Sequence, residues 1–261
     1  MVFGLSSHLV NGAFRFGLNS LSTKRILQRA KTAQCRQKGH MTRPLEQNQL
    51  ADEQRIALAY MRGSARDMLA GALALDRRLA RIVAHSSEPA LAQMRLAWWR
   101  DNLSKPVSER ASGDQILDAL GRHWLGRERA LQMLVDGWEH LLGEEPLSEG
   151  AARQFAEGRA GIFLAVAECT GRADSAEGVL KAAQRWAIAD AAAHASRDDE
   201  RGMLVRLGLE QGARPAQLPG SMRGLAVLDA LARRSLKLGG RPLMEGRGAA
   251  ICALRAGLLG R

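Results

Sequence analysis

The sequence predicts an all-α protein, on three observations. From Ala51 onward apolar residues recur at spacings of three and four, the period of a helix face. No sustained alternating run rich in β-branched residues argues for a strand. Glycine and proline mark breaks between periodic stretches at Gly63, Pro106, Gly143 with Pro146, and the loop from Ala213 to Gly220.

Taken in order, a first helix covers about Ala51–Met61 and breaks at Gly63. Ser64, three residues before Asp67, suits the N-cap of a second helix at about Ala65–Ala84. Ser86 or Ser87, with Pro89 in the first turn, opens a third that runs through Trp98 and Trp99 and stops before Pro106. Arg127–Leu142 carries Leu131, Leu134, Val135, Trp138, Leu141 and Leu142 on one stripe. Ser148 starts a helix to about Cys169, in which Gly158, Ala160 and Gly161 would let a neighbouring backbone come close. Helices near Ala176–Ser196, Arg201–Gln211, Met222–Leu238 and Glu245–Leu259 complete the expectation.

With 261 residues, 46% of them hydrophobic, the chain can bury one sizeable core, so residues 41–261 read as a single domain. Residues 1–40 differ: they hold seven basic residues and no acid. That segment reads either as an acid-free targeting peptide of the mitochondrial type or as the product of an upstream start codon, since Met41 follows it.

The net charge of +11 is segregated. Residues 41–200 hold 20 basic and 24 acidic residues, whereas residues 201–261 hold 11 basic and 3 acidic. The basic last quarter suits an anionic membrane surface, a diphosphate or an acidic partner, and its lack of aromatic side chains argues against nucleic acid. Solvated helix faces are the plain alternative. No stretch approaches the roughly 20 apolar residues a membrane span needs. Cys35, Cys169 and Cys252 stand far apart, which suggests neither a disulfide framework nor a zinc site and fits a reducing compartment.

Asp76 is the residue that most suggests chemistry. It falls in the middle of the stripe formed by Leu69, Ala72, Leu73, Leu79, Ala80 and Val83, while Arg66, Arg77, Arg78 and Arg81 take other faces. A carboxylate placed toward a core must be paired or turned to a cavity. The sequence offers Arg95 or Arg100 as the pairing partner. Further along, Asp190, His194 and Asp198 share a face at spacing four. They read as metal ligands or, more simply, as acids capping a turn ahead of a break at Gly202. His85, His123 and His140 have no Ser or Cys placed to make a nucleophile. Two adjacent tryptophans, Trp98 and Trp99, cannot both face one side of a helix, so one is free to line a cavity or meet a partner.

The run Gly71–Leu103, GALALDRRLARIVAHSSEPALAQMRLAWWRDNL, resembles the N-terminal signature of the squalene/phytoene synthase family, carried by Glu88-Pro89, Arg95-Leu96 and Trp98-Trp99-Arg100. The resemblance implies a single isoprenoid-synthase-like helical bundle over residues 41–261, with a central cavity for prenyl diphosphates. It makes Asp76, Arg95, Trp98, Trp99, Arg100, Asp190, His194 and Asp198 candidates for that cavity. In active members two Asp-rich motifs bind Mg²⁺ across the cavity, and hard Mg²⁺ needs such oxygen ligands to bridge to phosphate. Here Asp76 is followed four residues on by Ala80, and no Asp-x-x-Glu-Asp pattern stands in Trp186–Arg201. No metal site is assigned: the resemblance carries over Asp76 alone, and Asp190 and Asp198 are candidates by their spacing.

Too few inward carboxylates thus remain to gather the ions that let a prenyl diphosphate ionise. The pattern is nearer to a divergent branch that includes a mitochondrial complex I assembly factor and its bacterial relatives. The expectation is a degenerate, non-catalytic protein without a cofactor, acting in assembly at a membrane complex or binding a prenyl lipid. The alternative is an active Mg²⁺-dependent prenyl diphosphate condensing enzyme. The expected location is the bacterial cytoplasm, peripheral to the inner membrane, or the mitochondrial matrix in a eukaryote.

Overall fold

Among the described residues there are ten α-helices, nine of them at the periodic stretches, and no strand. The structure, a computed structural model, describes residues 50–260 except Ser87, Glu144, Glu145 and Ala213. The basic extension at 1–40 and both readings of it lie outside the described residues. The helices are α1 (Asp52–Ala59), α2 (Gly63–Ala84), α3 (Pro89–Ser104), α4 (Gln115–His123), α5 (Glu128–Glu139), α6 (Glu149–Cys169), α7 (Ala176–His194), α8 (Asp198–Glu210), α9 (Arg223–Lys237) and α10 (Arg247–Leu259).

Packing follows a row. Helix α6 lies between α5 and α7, α9 covers the other side of α7, and α10 and α1 lie on α9, while α2 crosses α4, α5 and α6. A continuous core of Leu, Ala, Val, Phe and Trp runs through the row. The close approach expected of the glycines in α6 holds at Gly158, where a Cβ would stand 2.4 Å from the Met133 carbonyl oxygen and 3.0 Å from Gly137 Cα on α5. At Gly161 nothing lies within 4 Å of that position.

Several boundaries shift for local reasons. Helix α2 starts at Gly63, whose φ of +59° turns the chain, with Arg62 as N-cap, so Ser64 is inside the helix and does not cap it. Glu88 is the N-cap of α3, and Pro89 occupies its first turn. Ser148 caps α6 as expected, its hydroxyl accepting from the Ala151 N–H at 3.2 Å. Asp198, Asp199 and Glu200 fill the first turn of α8, where carboxylates favour a helix N-terminus, and Gly202 lies inside that helix rather than ending one. Helix α4 was not foreseen. Its signal was the Asp114 carboxylate, which accepts from the Ile116 and Leu117 N–H groups at 2.8 and 3.1 Å.

Candidate functional site

Asp76 is fully buried, and α6 supplies its partner. Arg159 falls on the inward stripe of that helix with Ala152, Phe155, Ala156, Phe163 and Val166, so its side chain has nowhere to go but the interior. Its Nη2 donates to Asp76 Oδ2 at 2.7 Å and its Nη1 to Asp190 Oδ2 at 2.8 Å. One guanidinium therefore joins the two carboxylates that the sequence marked on α2 and α7. The Trp138 indole N–H donates to Asp76 Oδ1 at 2.8 Å, and Gln54 Nε2 lies 3.5 Å from Asp76 Oδ2.

Aromatic rings frame the guanidinium. Its central carbon lies 3.9 Å from the Trp186 ring centroid, 5.2 Å from that of Phe155 and 5.5 Å from that of Trp138. Trp186 and Asp190 are one turn apart on α7, so the ring and the carboxylate reach the same group. Burial pushes the Arg159 pKa down, but attraction and hydrogen bonds from Asp76 and Asp190 outweigh it and leave the net shift upward. The arginine stays charged. Glu53 on α1 is a further buried acid, with its pKa raised by desolvation first and by repulsion from Asp190 second.

Above this cluster opens a cavity of about 890 Å³. Asp76, Arg159, Asp190 and Phe155 line it, together with Ala80 and Val83 of α2 and Leu141, Leu142, Leu147 and Leu204. Arg77, Arg81, His85, His140 and His194 also contribute to its lining. His194 Nδ1 lies 2.8 Å from the Asp190 carbonyl oxygen; a carbonyl only accepts, so Nδ1 carries the proton.

Of the eight candidates, the structure brings Asp76, Asp190 and His194 to the cavity. The other five do not line it. Asp198 stands almost fully exposed at the start of α8, paired with Arg201 at 2.9 Å. Arg95 is exposed on α3 and is not the partner of Asp76. Arg100 is not that partner either: its Nε donates to Asp136 at 2.7 Å, and its Nη2 to Glu139. The two tryptophans split as adjacent helix positions must, Trp99 buried at 2% exposure and Trp98 outward at 43%. The physical cause is that α3 packs mainly on α5, whereas α6 faces α2 across the interior.

Four carboxylates line the cavity, more than the sequence suggested, because Glu139 and Glu200 join Asp76 and Asp190. They do not form a magnesium cage. Arg159 holds Asp76 and Asp190, Arg100 holds Glu139, and Glu200 accepts from the Leu147 N–H at 3.0 Å. No group of three or more acidic, His or Cys side chains suited to a metal occurs among the described residues. As folded this set does not fit Mg²⁺: both oxygens of Asp76 and one each of Asp190, Glu139 and Glu200 already accept from N–H groups of the protein.

Sequence reasoning missed Arg159, Glu53 and Gln54, and it treated Trp138 as core alone. Arg159 was findable: it is the charged member of an otherwise small and apolar stripe, the same signal that singled out Asp76.

Fold and site together define an all-α protein with a cavity floored by a bridged Asp–Arg–Asp cluster. No family model, curated protein or solved structure matches the chain. No described helix is long and apolar enough to cross a membrane.

Proposed function

We propose that this protein is a non-catalytic member of the squalene/phytoene synthase type, working as an accessory or assembly protein whose cavity binds an apolar ligand of the isoprenoid class. The observation that carries this reading is the Arg159 bridge. One fixed monovalent cation stands between Asp76 and Asp190, where a condensing enzyme would need carboxylates open to divalent ions. The cavity is of a size that accepts small ligands, and its Leu and Phe walls suit a hydrocarbon chain. Arg77, Arg81 and the three histidines suit a polar or anionic head at one end of such a ligand.

A condensing enzyme is the second reading, favoured by the four carboxylates that line the cavity. It requires Arg159 to leave Asp76 and Asp190 when a substrate enters.

Two measurements on the full chain separate the readings. Mass spectrometry of an organic extract of the purified protein, or of protein incubated with farnesol and passed through a desalting column, is expected to find a retained apolar molecule. Incubation with farnesyl or geranylgeranyl diphosphate and Mg²⁺ is expected to release no pyrophosphate above background. Steady release that Asp76→Asn abolishes would overturn the non-catalytic reading.

A further inference from the structure

Helix α10 carries its small apolar residues inward and its large ones outward. Its inward face is made of small residues, Ala249, Ala253, Ala256 and Gly257, packed on α9 and α1. The Tyr60 ring lies so close to Gly257 that a Cβ there would stand 2.3 Å from it. The large apolar residues face the other way: Ile251, Leu254 and Leu258 are 61%, 52% and 59% exposed. At 100° per residue these three fall within one narrow stripe, and Arg247 and Arg255 stand on and beside it.

No acidic residue occurs between Arg247 and Leu259. At the C-terminal end, Arg223 of α9 donates to the Gly257 and Leu258 carbonyl oxygens at 3.2 and 2.8 Å and adds a further positive charge. An apolar stripe edged by guanidinium groups is what a helix lying in a membrane interface presents, with side chains among acyl chains and cations at lipid phosphates. A second copy pairing through the same face would set Arg247 and Arg255 against their own kind.

The structure assigns to α10 the role of a docking helix for an anionic bilayer surface, laying Ile251, Leu254 and Leu258 into the interface. This goes beyond the charge imbalance of residues 201–261 by naming one helix face, and it does not depend on what the cavity holds.

Flotation of the full chain with vesicles of phosphatidylcholine containing about one-quarter phosphatidylglycerol tests it. Wild-type protein is expected to float with these vesicles, to bind pure phosphatidylcholine weakly, and to lose part of its binding at about 0.5 M NaCl. The exposed-face variant I251S/L254S/L258S is expected to bind roughly tenfold more weakly or worse, and R247Q/R255Q to weaken binding to anionic vesicles alone. Unchanged helicity and melting temperature would show that both variants fold. Equal binding by wild type and I251S/L254S/L258S, including binding driven by the basic N-terminal segment, overturns the proposal. So does a dimer seen by sedimentation velocity that the same variant dissociates, which would give the face to a second copy.

Discussion

The Arg159 guanidinium lies over the Trp186 indole, 3.9 Å from its centroid, and from there reaches carboxylates on two other helices. The ring helps offset the desolvation of a fully buried cation, and the two carboxylates complete the compensation. With two negative charges around one positive charge, the cluster depends on the arginine more than on either acid.

Arg159→Met is therefore expected to destabilise the fold by roughly 3–5 kcal/mol, because Asp76 and Asp190 would be left buried without a counter-ion. The triple variant D76N/R159M/D190N removes both charges with the cation and is expected to recover most of that loss. Urea denaturation of the three proteins checks this, and a triple variant no better than Arg159→Met would show that the bridge is not the main stabilising element there.

Trp138→Phe keeps the ring and removes the N–H that Asp76 Oδ1 accepts at 2.8 Å. The expected cost is about 1–3 kcal/mol, the range for a buried polar atom left without its partner. The same denaturation experiment reads it, with Arg159→Met as background: the two losses should fall short of adding, since both act on Asp76.

The pH dependence of stability carries a signature of Glu53. Its folded pKa is raised, by burial first and by Asp190 second, so the folded state binds the proton more tightly than the unfolded chain. Stability from this group is complete below the unfolded value of 4.5 and is lost as pH rises through the folded value. Glu53→Gln removes that loss. It is expected to raise the melting temperature at neutral pH relative to wild type and to change it little below the unfolded pKa.

Two glycines of α6 should respond with opposite signs. Gly158→Ala drives a methyl group into the Met133 carbonyl, a backbone atom that cannot swing aside, and should destabilise by more than the ~1 kcal/mol that helix propensity would return. Gly161→Ala meets nothing within 4 Å and should stabilise by up to about 1 kcal/mol. Thermal melts of the two variants give the comparison directly.

The all-α class, the capping of α6 by Ser148 and the inward placing of Asp76 were legible in the chain because each is written in spacing and local chemistry. Helix periodicity says which way a side chain points, and that is a property of a dozen neighbouring residues. Helix α4 escaped because it is only nine residues long, although Asp114 caps it and Ile116, Leu117 and Leu120 are buried on one side of it.

Which groups meet was a different matter. Asp76, Arg159 and Asp190 each read as an inward polar residue on its own helix, yet no pattern along the chain joins positions 83 and 31 residues apart. Only the packing of α2, α6 and α7 put one arginine between two aspartates and turned Arg95 and Arg100 away from them. The sequence determined the direction each helix faces, through local backbone geometry. The tertiary structure alone decided the pairing, because a charge held away from water takes whichever partner packing brings within hydrogen-bond reach.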